Sequence, residues 1–282
     1  MNARPRQVPT GIFGVAVLAL GALLALTADW TAGYSPTHQD LVARLQPPGT
    51  VADGHLYRLG TDSLGRDIWA RIAYGSRVSL TVAGVAVGVS FLIGTTVGVV
   101  AGFRRGILGA VLMRAVDVVL AIPFLLLAVA TVAILGPSFS NLILALGFVR
   151  WTRYARVGYA QTLSTREFEF VQAARAVGAT DARLVFRHIL PNVAPALVVV
   201  ATLEMGLMII FEASLSFLGL GVQPPDPSWG GMLSEGRNYL ADAWWLATFP
   251  GLAITITVLG ANMAGDYVRD RLDPRRGEVA RI

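Results

Sequence analysis

The stretch from Arg150 to Asn192, RWTRYARVGYAQTLSTREFEFVQAARAVGATDARLVFRHILPN, is polar, arginine-rich and helical in pattern, yet it lies between apolar runs long enough to cross a bilayer. An ordinary connection between two spans needs only a few residues. From Glu167 to Val177 the apolar residues Phe170, Val171, Ala174 and Val177 recur at three-to-four spacing, and Gly178 supplies a left-handed stop. Thr180 or Asp181 can cap a second short helix, which Pro191 ends. The stretch therefore reads as helix, tight turn, helix. Ala173, Ala174 and Ala176 keep the first helix thin enough for another protein's backbone to approach. Around that contact Arg166, Arg175, Arg183 and Arg187 offer charged hydrogen bonds. The same pattern also fits an amphipathic hairpin lying on the membrane surface, and periodicity alone does not separate the two.

Composition sets the class. The chain is 54% hydrophobic and only 15% charged, with 30 glycines, and its mean hydropathy is +0.59. That is too apolar for a soluble globular protein of this length, so the chain is an integral membrane protein. Windows of about 20 apolar residues, enough to span ~30 Å of hydrocarbon, occur at Gly11 to Ala28, Val78 to Ala101, Leu112 to Leu135, Phe139 to Arg156, Val193 to Gly219 and Trp244 to Tyr267. The fold class is all-α, with about six transmembrane helices. The fourth window turns basic early, so its helix is expected to project from the bilayer. Arg4 and Arg6 precede the first window as they would in a signal peptide, but the run is long and no small-x-small cleavage site follows it, so a retained helix is expected.

Every one of the 23 basic residues is arginine. With the N-terminus inside, 17 of them fall in the N-tail, the 102–114 connection, the 150–187 segment and the C-tail, which places the long polar stretch and both termini in the cytoplasm. Arg44, Arg58, Arg66, Arg71 and Arg77 in the first external loop run against this bias, and the later loops decide the orientation. The resulting division is an N-tail over 1–10, a first helix over 11–28 and an external loop over 29–77. A five-helix core over 78–267 contains the 157–192 cytoplasmic loop, and a C-tail covers 268–282.

Two absences narrow the chemistry. Without lysine the chain holds no GxxxxGK[ST] phosphate loop, so any ATP hydrolysis belongs to a partner. Without cysteine it has no disulfide, thiolate metal site or thiol nucleophile. His38, His55 and His188 are too widely spaced for HExxH, no GxSxG elbow occurs, and neither a catalytic nor a metal-binding residue is expected. A membrane-bound hydrolase would lack both nucleophile and base.

Charges inside the spans carry the remaining information. Asp117 has Arg114 three residues earlier, close enough for mutual neutralisation near the interface. Glu204 and Glu212 lie deep in the fifth window, about 80° apart around a helix and about 12 Å apart along it. Neither suits lipid, so each either lines a polar pathway with a gating role or binds a neighbouring helix. Pro123 and Pro250 allow kinks in the third and sixth windows.

The run QAARAVGATDARLVFRHILPN resembles the cytoplasmic EAA signature of ABC importer permeases, in which EAA is followed by three residues, Gly, and a closing Leu-Pro. Ala173, Ala174, Gly178, Leu190 and Pro191 match; Gln172 stands where the family usually has Glu, and His188 takes a position usually hydrophobic. GTDSLGRDIWARIAYGSRVSL from Gly60, EASLSFLGLGVQPPDPSWGGML from Glu212 and GDYVRDRLDPRRG from Gly265 are similar, in matching order, to the C-type permease of dipeptide, oligopeptide, glutathione and nickel importers. The resemblance implies the type I ABC importer permease fold in a bacterial plasma membrane. It further implies a heterodimer with a B-type permease, two cytoplasmic ATP-binding subunits and an external solute-binding protein, with no nucleic acid partner and no cofactor in this chain. By the same resemblance Gln172, Ala173, Ala174, Gly178, Leu190 and Pro191 form the ATPase-coupling segment, and di- or oligopeptides are the commonest cargo.

Outside, the loop Val222 to Ala243 contains PPDPSW, a rigid segment with an aromatic expected at its surface. Pro224, Pro225 and Trp229, together with the loop Ala32 to Arg77, are the candidate platform for the binding protein; a plain loop stiffener is the alternative. A self-contained channel or proton-coupled carrier using Glu204 and Glu212 is the competing function. Such carriers often show an inverted repeat with paired broken helices, and none is visible in this sequence.

Overall fold

The computed structural model describes residues 8–52 and 54–272 and is mostly helical. The expected N-tail up to residue 7 and the C-tail from residue 273 lie outside the described residues. The chain begins with α1 (Val8–Leu26) and the single turn α2 (Ala28–Thr31). A segment outside the long helices follows, carrying the hairpin β1 (Thr50–Ala52) and β2 (His55–Tyr57), paired antiparallel with Val51 opposite Leu56.

The longest helix is α3 (Ile68–Arg104), whose 37 residues make a rod about 55 Å long. It starts well before the Val78 expected from hydropathy, because Asp67 caps it, accepting from the Trp69 amide at 2.8 Å and the Ala70 amide at 3.4 Å. Its partner is α6 (Phe139–Thr165). Gly94, Gly98 and Gly102, four residues apart, face the α6 backbone so closely that a Cβ at any of them would clash with Trp151, Ala155 or Tyr159. Small residues let two backbones approach where hydrophobic burial offers little drive. The Ser90 hydroxyl adds a bond to the Gly147 carbonyl at 2.7 Å.

Between these helices lie α4 (Gly106–Ala121) and α5 (Phe124–Leu135), bent by 88° at Ile122 and Pro123. The window Leu112 to Leu135 is thus not one continuous helix. Pro123 lacks an amide hydrogen and drives the residue before it out of the helical region; Ile122 accordingly adopts φ −92, ψ 130.

After α6 come α7 (Glu169–Ala176), the turn α8 (Asp181–Arg183), a π-helical segment Leu184–Ile189, and α9 (Leu190–Phe217). Here the second correction arises: Pro191 does not end a helix, and Asp181–Phe217 runs on as one span. The wider π turn moves the Leu190 amide onto the Val185 carbonyl and relieves the clash that a proline ring has with the carbonyl four residues back. The chain closes with α10 (Trp229–Gly236) and α11 (Trp245–Leu272), and α11 packs on α1 with Gly14 against the Gly260 and Ala264 backbone.

By length and composition α3, Asp181–Phe217 and α11 can each cross a bilayer, and α4 with α5 adds a fourth span if the bent pair counts as one. The apolar part of α1 is shorter, and Arg150, Arg153 and Arg156 interrupt α6. At most 39% of the apolar window in each of the three long helices is buried inside the protein. Leu20, Leu92 and Ile134 point outward, as lipid contact requires. The interior core joins Val82, Ala86, Leu142, Leu146, Met208 and Trp229 from α3, α6, α9 and α10.

Candidate functional site

The hairpin that follows α6 is held from behind and open in front. Val171, Leu184 and Ile189 are buried with Phe103, Tyr154, Val193 and Leu197, and Ala174 packs partly against them. Gly178 has φ +86, the left-handed turn that its position demanded, and the Thr180 hydroxyl accepts from the Arg183 amide at 3.4 Å. Gln172, Ala173, Ala176 and Val177 are exposed on the outer face, flanked by Phe168, Phe170 and Phe186. Leu190 is half-buried and Pro191 exposed at the foot of α9. Ala174 thus belongs to the inner face, and the outward small residues are Ala173 and Ala176. Sequence reasoning did not single out Phe168 and Phe186, since no local periodicity marks which aromatic faces out.

Arg166 also differs from expectation. Instead of lining the outer contact, its Nη1 donates to the carbonyls of Gly102 at 3.1 Å and Phe103 at 2.7 Å, capping the open end of α3. Gln172, at the family's glutamate position, donates from Nε2 to the Arg166 carbonyl at 2.9 Å, a bond that a carboxylate could not donate. Arg105 pairs with Glu167 at 2.5 Å beside it, and the Arg175 guanidinium sits 5.9 Å from the Phe103 ring centre. Arg183 and Arg187 remain exposed.

Within the spans Asp117, Glu204 and Glu212 each have a defined neighbourhood. Asp117 pairs with Arg156 at 2.5 Å, not with Arg114, so the contact joins α4 to α6 and does not close within one helix. The reason is orientation: Arg114 points outward, whereas α6 brings Arg156 alongside. Glu204, 3% exposed, accepts from Arg150 Nε at 2.8 Å and Nη2 at 2.5 Å. The same guanidinium lies 5.1 Å from the Phe124 ring and 5.5 Å from the Phe211 ring. One bidentate pair therefore ties α6, α9 and α5 together. Glu212 is fully buried; Ser216 donates to its Oε1 at 2.8 Å, and Ser79 and Ser228 flank the same carboxylate. The hydrogen bond from Ser216 lies within α9, and Oε2 of Glu212 has no hydrogen-bond partner among the described residues.

Trp229 is the clearest correction. It is 2% exposed, its Nε1 donates to the Ile72 carbonyl at 3.1 Å, and it fills the core between α3 and α9, so it cannot be a docking aromatic. Ser228 caps α10 by accepting from the Gly231 amide at 3.1 Å, so Trp229 is the first residue of that helix. Pro224 and Pro225 are exposed, as is Asp226.

Below this loop one layer is locked by four charges. Arg66 Nε bonds Asp62 at 2.6 Å and its Nη2 bonds Glu235 at 2.7 Å. Arg71 Nη1 reaches Asp62 at 2.5 Å and Glu235 at 2.7 Å, and its Nη2 reaches Glu235 at 3.0 Å. A cavity of about 140 Å³ adjoins Arg71, Ser216, Ser228 and Glu235. Farther along the same layer, Tyr74 donates to Asp29 at 2.7 Å and Arg77 pairs with it at 3.1 Å, which together hold the Asp29 carboxyl below the usual carboxylate range.

The geometry is that of a helical scaffold with a hairpin at one end of α3 and a folded, charge-locked layer at the other. Residues 94–278 match the family described as binding-protein-dependent transport system inner membrane component. The chain belongs to that family. It is 40% identical over 95% of its length, and 89% of the other chain, to a probable D,D-dipeptide transport system permease protein of Escherichia coli. It is 42% identical over 95% of its length, and 88% of the other, to a di/tripeptide transport system permease protein of Pseudomonas aeruginosa. To a glutathione transport system permease protein of Pectobacterium atrosepticum it is 45% identical over 77% of its length and 72% of the other. Among solved structures, a chain of the inward-facing MetNI methionine ABC transporter superposes with a TM-score of 0.59 at 22% identity, covering 73% of this chain and 97% of that one. This likeness shows the fold, that of an ABC importer permease. The chain is the permease component of a binding-protein-dependent ABC importer, embedded in the membrane.

Proposed function

We propose that this permease pairs with a related permease subunit and two ATP-binding subunits in the bacterial inner membrane, and imports di- or oligopeptides delivered by an external binding protein. The observation that carries the reading is the open outer face of the hairpin from Phe168 to Pro191: small residues and exposed aromatics over a packed base. An apolar, thin helix face of this kind suits burial in a partner's cleft. In this reading both termini and the hairpin are cytoplasmic, Pro224 and Pro225 lie on the outer surface with the 29–77 loop, and the chain itself needs no cofactor. Cargo class rests on the names of the relatives, which are permeases of dipeptide, di/tripeptide and glutathione systems.

ATP-driven closure of the partners would displace α7, which leads directly into α6 and, through the π turn, into α9, and so tip the bundle between inward-open and outward-open states. Glu204 then acts as a tie between α6 and α9, helices that must move as a unit. The carrier reading is weaker on this geometry, because Arg150 already occupies both oxygens of Glu204.

The test is reconstitution of the chain with the products of adjacent reading frames in nanodiscs. ATP hydrolysis should rise when binding protein loaded with a di- or oligopeptide is added. Uptake by the purified chain alone, driven by a proton gradient, is the result that would replace this reading.

A further inference from the structure

Two sets of contacts at opposite ends of α3 have no role in the function proposed so far. At the outer end, Asp62, Arg66, Arg71 and Glu235 form a cluster whose formal charges cancel, with Asp62 1%, Arg66 6% and Arg71 3% exposed. Asp62, Arg66 and Arg71 cannot part without stranding a desolvated charge, whereas Glu235, its side chain 33% exposed, is the wetter member and joins the three through both guanidinium groups. Glu235 is the member that α10 contributes, and α10 follows directly on the exposed Pro224–Asp226 turn. At the inner end, Arg166 holds the Gly102 and Phe103 carbonyls, tying the last turn of α3 to the base of the hairpin.

Between these ends α3 is one unbroken helix with no proline, and the glycine seam locks it along α6. The parallel route through α9 is softer, since it contains a π segment, Pro191 and Pro195. We propose that α3 is the strut that carries a displacement of the outer loop to the hairpin, with Glu235 and Arg166 as its positioning residues. This rests on the import reading above, because it needs a partner that pushes outside and an ATPase that responds inside.

The assembled complex in nanodiscs provides the test, with ATPase rate measured with and without peptide-loaded binding protein. Glu235→Gln should leave assembly and basal rate as in the wild type but cut the stimulation at least about fivefold, the low end of usual coupling between sites. Glu235→Asp should restore most of it. Arg166→Gln should also reduce stimulation, and the double variant should be no worse than the more severe single, because both lie on one path. Full stimulation in Glu235→Gln, losses that multiply in the double variant, or a basal rate and assembly that fall along with stimulation would each overturn the strut. A wild-type complex that no loaded binding protein stimulates would defeat the import reading itself, and the strut with it.

Discussion

At the scale of the residue, the intramembrane pair Arg150 and Glu204 is the most exposed to test. Removing Arg150 takes both hydrogen bonds from a carboxylate that is 3% exposed and leaves only the Arg153 guanidinium, at 3.8 Å; breaking a buried pair typically costs about 3–5 kcal/mol. Arg150→Met should therefore lower the melting temperature of the purified complex sharply, while the double variant with Glu204→Met should recover most of it. If the single variant melts like the wild type, the pair does not hold α6 to α9. The sequence made Glu204 legible as a carboxylate unsuited to lipid, but its partner lies 54 residues away and only the folded bundle brings the two together. Trp229 misled for a related reason: a proline-rich context argues for exposure, but the indole's hydrogen-bond partner, the Ile72 carbonyl, lies 157 residues away.

Elements show the same division between local and distant causes. Gly178 was readable because a helix stop needs a positive φ, and the structure gives +86 with open space around its missing Cβ. Gly178→Val should thus act through backbone strain, on the order of 1–2 kcal/mol, and misdirect α8 without a steric clash. Pro123 and Pro191 look alike in sequence, yet one breaks a span and the other rides through on a π turn, a difference set by how the preceding turn is paired. In the proposed role the exposed face of α7 serves docking and its inner face serves folding. Ala173→Asp, on the exposed face, should leave the permease folded but reduce co-purification of the ATP-binding subunits. Ala174→Asp should instead destabilise the hairpin, because it places an unpaired charge against Val171 and Leu184. Proteolysis of the hairpin in the isolated permease distinguishes them: early cleavage is expected for Ala174→Asp, and equal cleavage of both variants would contradict the assignment of faces.

For the whole molecule, composition alone placed the chain in the membrane, and ordered motifs indicated the importer permeases before any coordinates. The windows fall on α1, α3, α6, α9 and α11, because continuous apolar runs are local, and Pro123 marks the bend inside the third; the cluster of Asp62, Arg66, Arg71 and Glu235 depends on contacts that no window contains. Orientation is open to direct measurement, since the chain has no cysteine of its own. An impermeant thiol reagent applied to intact cells should label Pro225→Cys and leave Ala176→Cys unlabelled. The reverse pattern would invert the molecule.

The central claim is that the hairpin after α6 is where separate ATP-binding subunits grip this permease. Val177, 86% exposed at the tip of α7, is the place to ask. With a photocrosslinking amino acid at position 177 in the assembled complex, irradiation should join the permease to an ATP-binding subunit in high yield, and ATP should alter that yield. Crosslinks to lipid alone, from a complex that still hydrolyses ATP and imports its cargo, would show the hairpin lying on the membrane and contradict the account.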